Sequence, residues 1–297
     1  MRVLVTGASG LIGRHAVAEL LEHGYQARTF QRSAPAQHDV EYVKGDVCTD
    51  IAALCRAAQG CEAVVHLAGR GDVGESRRDP VGYAQLNATG ALNALEAARH
   101  AKAGFVLAST QRVYRLRPEP CREDADLRPD SPYGYAKWVA ELWCRMASEQ
   151  FGVPTTVLRF FSVYGPGQQA NGGSGVVSIF GLAALAGEPL VVQSAGRRDF
   201  TDARDVARAL RLVVERSQPG HHVYNIATGH GTTFRQLAEM LVDIAGSPSS
   251  IEERLKEPAG RDLIADIDKA RTQLGYEPCV DLRTGLERYV AWLRSSA

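Results

Sequence analysis

The sequence predicts an α/β fold, a doubly wound parallel sheet with a smaller C-terminal lobe. Three observations carry this expectation. Short, nearly continuous apolar runs alternate with amphipathic stretches through the first half of the 297-residue chain. Strands of a parallel sheet read this way when helices cover both faces. A glycine-rich turn, Gly7-Ala8-Ser9-Gly10-Leu11-Ile12-Gly13, joins the first apolar run to the first helical pattern. After Tyr164 the texture breaks into Gly165-Pro166-Gly167 and Asn171-Gly172-Gly173-Ser174-Gly175, which marks a different architecture.

Residues 3–5 form the first strand, because Val-Leu-Val is apolar on both faces, and a helix follows over roughly 11–23. Residues 27–30 and 42–44 are short strands, with a helix near 50–59 behind them. Residues 63–67 are a strand, 80–101 a long helix, 105–108 a strand, 133–151 a helix and 155–160 a strand. Later segments read as a helix near 202–217, a strand at 223–226, and helices near 233–245 and 282–294. The sheet domain spans 1–164, with 202–227 returning to it, and 165–297 is mostly the lobe. No internal repeat or low-complexity tract interrupts this plan.

The chain carries 34 basic and 34 acidic residues, so no net field draws it to nucleic acid or an anionic membrane. No apolar stretch is long enough to span a bilayer, and Met1-Arg2-Val3 runs directly into the first strand, so neither a membrane span nor a signal peptide is expected. The six cysteines form no C-x-x-C, fall mostly in predicted helices or strands, and read as small core residues of a reducing compartment. The histidines show no metal-binding spacing, so no metal site is expected. Together these features predict a cytoplasmic protein.

The glycine turn has a mechanical reading. Gly7 permits the tight turn after the strand, Gly10 removes a Cβ that would block a pyrophosphate, and Gly13 lets helix and strand approach. Backbone N–H groups of Ser9, Leu11 and Ile12 then face the anion at a helix N-terminus. This predicts a dinucleotide site. Tyr133 and Lys137 stand at i and i+4 on one helix face, after Ser131-Pro132. A nearby ammonium would stabilise the phenolate, letting Tyr133 take or return an alcohol proton. Tyr135 faces elsewhere. At the carboxyl end of the strand at 105–108, either Ser109 or Thr110 could donate to a reacting oxygen.

Read as a whole, the chain resembles the extended short-chain dehydrogenases/reductases of the nucleotide-sugar epimerase/dehydratase family. The resemblance runs through Thr6 to Gly13, Gly45-Asp46-Val47, His66-Leu67-Ala68-Gly69, Val73-Gly74-Glu75-Ser76 and Asn87. It continues in Thr110 with Val113-Tyr114, Tyr133 to Lys137, Leu158 to Gly167, Arg198-Asp199-Phe200, Tyr224-Asn225-Ile226 and Leu274-Gly275-Tyr276. It implies a Rossmann-type fold, a nicotinamide dinucleotide, a nucleotide-activated sugar and a homodimer. Thr110, Tyr133 and Lys137 would form the catalytic set, Thr110 rather than Ser109 because the family's hydroxyl lies four residues before the Tyr of Val-Tyr. Asp46 and Val47 would contact the adenine, and Leu67, Ala68 and Gly69 would line the adenosine side. Lys137 would hold the nicotinamide ribose, with Phe160, Phe161 and Ser162 beside the nicotinamide and the substrate.

Several departures narrow the expectation. Family dehydratases follow the Thr with Asp-Glu, whereas Gln111-Arg112 supplies no carboxylate for elimination. Ser162 replaces the usual Asn before Val-Tyr-Gly, and Arg115 replaces a Gly. The late substrate segment reads Glu257-Pro258-Ala259-Gly260-Arg261-Asp262, leaving Arg198 and Arg261 as bidentate diphosphate donors or as surface ion-pair partners. Where an acid would hold the adenosine ribose, the chain has Gln31-Arg32. Arg32, supported by Arg14 or Ser33, fits a 2′-phosphate, so NADP(H) is favoured over NAD(H). Arg32 equally fits a surface residue stacked on the adenine.

Three functions follow. The one favoured, narrowly, is an NADPH-dependent ketosugar reductase, because Gln31 removes a ribose anchor and Gly71 offers no cation where 4-epimerases carry a lysine, although Arg70 could replace it. The second is a nucleotide-sugar 4-epimerase. The third is a non-catalytic dinucleotide-binding regulator, which would not need Thr110, Tyr133 and Lys137 together.

Overall fold

The computed structural model describes residues 1–34, 40–168, 175–257 and 261–296. Strand β1 (Arg2–Thr6) leads through the glycine turn to α1 (Leu11–Glu22), β2 (Gln26–Gln31), β3 (Glu41–Lys44), α2 (Ile51–Ala58) and β4 (Ala63–His66). Two short helices, α3 (Val73–Arg78) and α4 (Pro80–Ala84), run into a π turn at Gln85–Thr89 and then α5 (Gly90–Ala101). Next come β5 (Gly104–Thr110), a 3₁₀ turn at Gln111–Val113, α6 (Pro132–Phe151), β6 (Thr155–Phe160) and β7 (Val163–Tyr164). The remainder is α7 (Val176–Ala186), β8 (Leu190–Ser194), β9 (Arg197–Arg198), β10 (Thr201–Asp202), α8 (Ala203–Glu215), β11 (His221–Ile226), β12 (Thr232–Thr233), α9 (Phe234–Ala245), β13 (Ile251–Glu257), α10 (Asp268–Leu274) and α11 (Leu282–Ser296).

Seven strands make one parallel sheet in the order β3-β2-β1-β4-β5-β6-β11. The alternating side chains of β1 show why the strands read as unbroken apolar runs. Val3 and Val5 enter the layer with α1, α8 and α10, while Leu4 enters the layer with α2, α5 and α6. The strand order reverses between β1 and β4, and the crevice at their carboxyl ends is where open α/β sheets bind ligands.

The lobe has its own core, in which Leu190, Val192, Leu237, Leu241, Leu286 and Tyr289 join α7, α9, α11 and β8. Residues 202–227 supply α8 and β11 to the sheet layers. Ala270, Leu274 and Tyr276 also pack there, so 165–297 contributes to the sheet domain at two places. No helix among the described residues is long and apolar enough to cross a membrane.

Several details differ from the sequence reading. The long helix at 80–101 is interrupted by the π turn, whose buried Asn87 side chain accepts from the Arg70 N–H. Such bulges often mark functional sites. Asp72 and Asp79 cap α3 and α4, accepting from the N–H groups of Glu75 and Gly82. Helix α7 was not expected: Val-Val-Ser-Ile-Phe-Gly-Leu-Ala-Ala-Leu-Ala is apolar all round and offers no period to read. The cysteines depart as well. Only Cys55 and Cys144 lie in helices, Cys61, Cys121 and Cys144 are buried, and Cys279 is exposed; all six are free thiols.

Candidate active site

A cleft of about 930 Å³ opens at the carboxyl ends of β1, β4, β5 and β6, with the lobe as its other wall. The glycine turn forms one end. Gly7 has φ +70°, and a Cβ there would stand 2.6 Å from the Ala68 nitrogen, so only glycine lets β1 turn against the end of β4. A Cβ on Gly13 would collide with the Gly7 carbonyl and Ala8. Gly10 begins α1 with no side-chain cap and no acid in the first turn. That leaves the amides of Leu11 and Ile12 open to an anion. Gln31 is buried, its Oε1 accepts from Ser9 N at 2.9 Å, and its Nε2 has no partner. A buried donor without an acceptor at the end of β2 fits a ribose oxygen. These features fit a dinucleotide.

The reacting groups gather at the end of β5. Thr110 and the half-buried Tyr133 both line the cleft, and the Thr110 side chain reaches the Tyr133 hydroxyl. Ser109 instead donates to Glu141 Oε1 at 2.5 Å, away from the cleft chemistry. Ser131 caps α6, and its Oγ accepts from Gly134 N. The cap and Pro132 start the helix so that Tyr133 and Lys137 share one face. Lys137 is buried and donates to the Ala108 carbonyl at 2.9 Å. Burial pulls its ammonium down to about 8, against the attraction of Glu141.

The Tyr133 phenol departs from expectation. Burial raises it above its ordinary value, and the opposing groups are Thr110 and Arg112 rather than Lys137. The Lys137 ammonium is turned to the β5 backbone. His66, behind them, is pulled down to about 3 by burial and by Lys137, and is therefore neutral; its Nδ1 pairs with Thr6 Oγ1 at 2.9 Å.

Most residues expected at the site line this cleft: Gly7, Ser9, Gly10, Leu11, Ile12, Gly13, Leu67, Gly69, Thr110, Gln111, Tyr133, Lys137, Phe160, Ser162 and Arg198. Gln111 Nε2 donates to Ser162 Oγ at 3.0 Å, and Ser162 holds a left-handed φ of 27°, a strained conformation for serine. Arg198 donates to the Arg197 and Arg261 carbonyls and lies 5.2 Å over the Phe234 ring. Beside it, buried Asp199 accepts from Thr228 and Gly229, fixing the segment.

Gln31, Arg32, Asp46, Val47, Ala68 and Arg261 lie outside the cleft lining. Arg32 and Asp46 both act on Cys48, so they gather near the end of β3. Val47 is buried, in contact range of Gly90, and the Asp46 carboxylate caps Cys48 N. Arg261 is exposed, and its carbonyl accepts from Arg198. Arg14 packs on Gly167 and donates to the Ser9 carbonyl. Tyr83, Phe200 and Phe234 also line the cleft and were not anticipated. Phe200 belongs to the Arg198-Asp199-Phe200 segment of the resemblance, whereas Tyr83 and Phe234 carry no motif and only tertiary packing brings them here.

A doubly wound sheet with a phosphate-binding turn and a Thr–Tyr–Lys set at its carboxyl edge defines an enzyme of the extended short-chain dehydrogenase/reductase class. The chain belongs to the NAD dependent epimerase/dehydratase family, whose profile matches residues 3–227. A UDP-glucose 4-epimerase of Corynebacterium glutamicum is 32% identical over 100% of this chain and 96% of its own. The crystal structure of a Thermotoga maritima UDP-glucose 4-epimerase with UDP-glucose superposes with a TM-score of 0.91, at 33% identity over 100% and 99% of the two chains. That of a Thermus thermophilus UDP-glucose 4-epimerase complexed with NAD gives 0.89, at 30% identity over the full length of both.

Proposed function

We propose that the protein is a nucleotide-sugar 4-epimerase using NAD. The observation that carries this reading is the meeting of Thr110 and Tyr133 at the strand edge with no carboxylate at positions 111 and 112. Its full-length relatives include UDP-glucose 4-epimerases. The turn from Gly7 to Gly13 holds the pyrophosphate, Gln31 the adenosine ribose, Asp46 and Val47 the adenine end, and Leu67 to Gly69 the neighbouring wall. The nicotinamide supplies a hydride acceptor and donor when bound. Tyr133 takes the proton of the sugar O4 hydroxyl and returns it later, and Thr110 holds that oxygen throughout. Lys137 anchors the nicotinamide ribose, with Phe160 and Ser162 alongside. Gln111 and Ser162 face the sugar, and Arg198 binds its diphosphate from the lobe.

A second reading, an NADPH-dependent ketosugar reductase, is favoured by one observation. Gln31 stands where an acid would repel a 2′-phosphate, and exposed Arg32 follows it. Purified protein should release stoichiometric NAD on denaturation and interconvert UDP-glucose and UDP-galactose without added cofactor. Release of no dinucleotide, with ketosugar reduction only on adding NADPH, would replace the first reading by the second. The same incubation should yield no 4-keto-6-deoxy product; its appearance would show that elimination does not need a carboxylate at 111 or 112. Exposed Val81 on α4 and Tyr135 and Leu142 on α6 support a homodimer, which a monomer mass by light scattering would remove.

A further inference from the structure

The cleft is cationic, and its cations differ in one respect. Arg70 is held by Asp79 at 3.0 Å, Arg198 by two carbonyls, Arg14 by the Ser9 carbonyl, and Lys137 by the Ala108 carbonyl. Arg112 lines the same cleft from the middle of the 3₁₀ turn, yet its guanidinium has no acceptor among the described residues. Its backbone is fixed: the Arg112 N–H donates to Thr110 Oγ1 at 3.2 Å. It is half-buried and close enough to Tyr133 for its charge to act on the phenol. A planar donor fork therefore stands beside the groups assigned to the sugar O4.

Resting on the reading of a C4-acting nucleotide-sugar enzyme, we infer that Arg112 receives a carboxylate borne by C5 of the sugar, so that the preferred substrate is a nucleotide-activated hexuronic acid. In a pyranose the C5 substituent is the immediate neighbour of O4, so a group beside Thr110 and Tyr133 meets it directly. A guanidinium matches a carboxylate with two parallel N–H···O bonds, whereas a neutral hydroxymethyl group leaves a half-buried charge unpaired. The nucleotide-sugar diphosphate is assigned to Arg198 in the lobe, and the dinucleotide phosphates to the α1 amides, so neither calls for Arg112.

The test compares UDP-glucuronate with UDP-glucose on the NAD-loaded protein, by calorimetric Kd and by kcat/KM. A charge-assisted bidentate contact is worth about 10- to 100-fold in affinity. The wild type should favour the uronate by at least that lower factor, and the preference should collapse to near unity in Arg112→Gln. Arg112→Lys should recover part of it, since charge is restored without the fork. Arg112 makes no side-chain contact that the fold depends on, so the variants should keep the wild-type Tm. Equal affinity for both sugars in the wild type, or an Arg112→Gln variant that loses both by one factor, overturns the inference and leaves the 4-epimerase reading standing. Failure of both sugar nucleotides to bind overturns both.

Discussion

Tyr133→Phe is expected to lower turnover by about 10²–10⁴-fold, the usual worth of a positioned proton-transfer group, while dinucleotide affinity stays close to wild type. Only the hydroxyl is lost. The half-buried ring remains edge-on to Tyr83, 6.3 Å between centroids, so the fold has no reason to change. Lys137→Met should lower both turnover and cofactor affinity, because this ammonium is assigned to the ribose. Its burial gives a pH signature. With its pKa brought down to about 8, wild-type cofactor affinity should fall as pH rises through that value, and Lys137→Met should show no such fall. The contribution of Lys137 to stability moves the other way. Between about 8 and the ordinary lysine value of 10.5 the unfolded chain holds a proton on Lys137 that the folded chain has released, so that contribution rises with pH across that window, while the buried thiols of Cys121 and Cys144, raised by burial, contribute in the opposite sense above about 9. Retention of more than roughly a tenth of the activity by Tyr133→Phe would place the proton elsewhere.

The parts legible in the sequence are those set by local rules. Strands β1, β4, β5 and β6 are buried on both faces and read as apolar runs, and the phosphate turn is contiguous from Gly7 to Gly13. Tyr133 and Lys137 are one helical turn apart, so their shared face follows from spacing alone. The edge strand β13, Ile-Glu-Glu-Arg-Leu-Lys-Glu, was missed because it belongs to a two-stranded lobe sheet and carries no apolar alternation. Ser109 and Thr110 could not be separated by position. What divides them is Glu141, 32 positions along the chain from Ser109, and a partner at that distance leaves no pattern. Arg14 against Gly167 and Arg198 over Phe234 are likewise tertiary contacts. The NADP expectation followed from Gln31 and Arg32, with Arg14 or Ser33 in support, and no local pattern signals that Gln31 turns its oxygen to Ser9.

Glu141→Gln is expected to cost about 3–5 kcal/mol, the usual penalty for breaking a buried ion pair from one side. The Glu141 and Arg159 side chains are only 6% and 4% exposed and meet at 2.7 Å. Burial alone would push the Arg159 guanidinium down; the Glu141 carboxylate and the Tyr114 hydroxyl more than offset it. Arg159 also donates to Tyr114 at 2.7 Å, and Tyr114 donates to Asn225 Oδ1 at 2.8 Å, so the charge sits inside a network joining β5, β6, β11 and α6. Glutamine keeps the shape but leaves the guanidinium without a counter-charge and weakens the Ser109 bond that fixes the residue next to Thr110. The measurement is denaturant unfolding of the wild type, Glu141→Gln, and the cycle of Glu141→Met, Arg159→Met and the Glu141→Met/Arg159→Met pair. Each single variant leaves one buried charge uncompensated and the double leaves none, so the double should be less destabilised than the sum of the singles, with a coupling of roughly 0.5–3 kcal/mol. A single-variant cost below about 1 kcal/mol, the range of exposed pairs, would mean that water reaches this network and that the end of β5 is held by something other than Glu141.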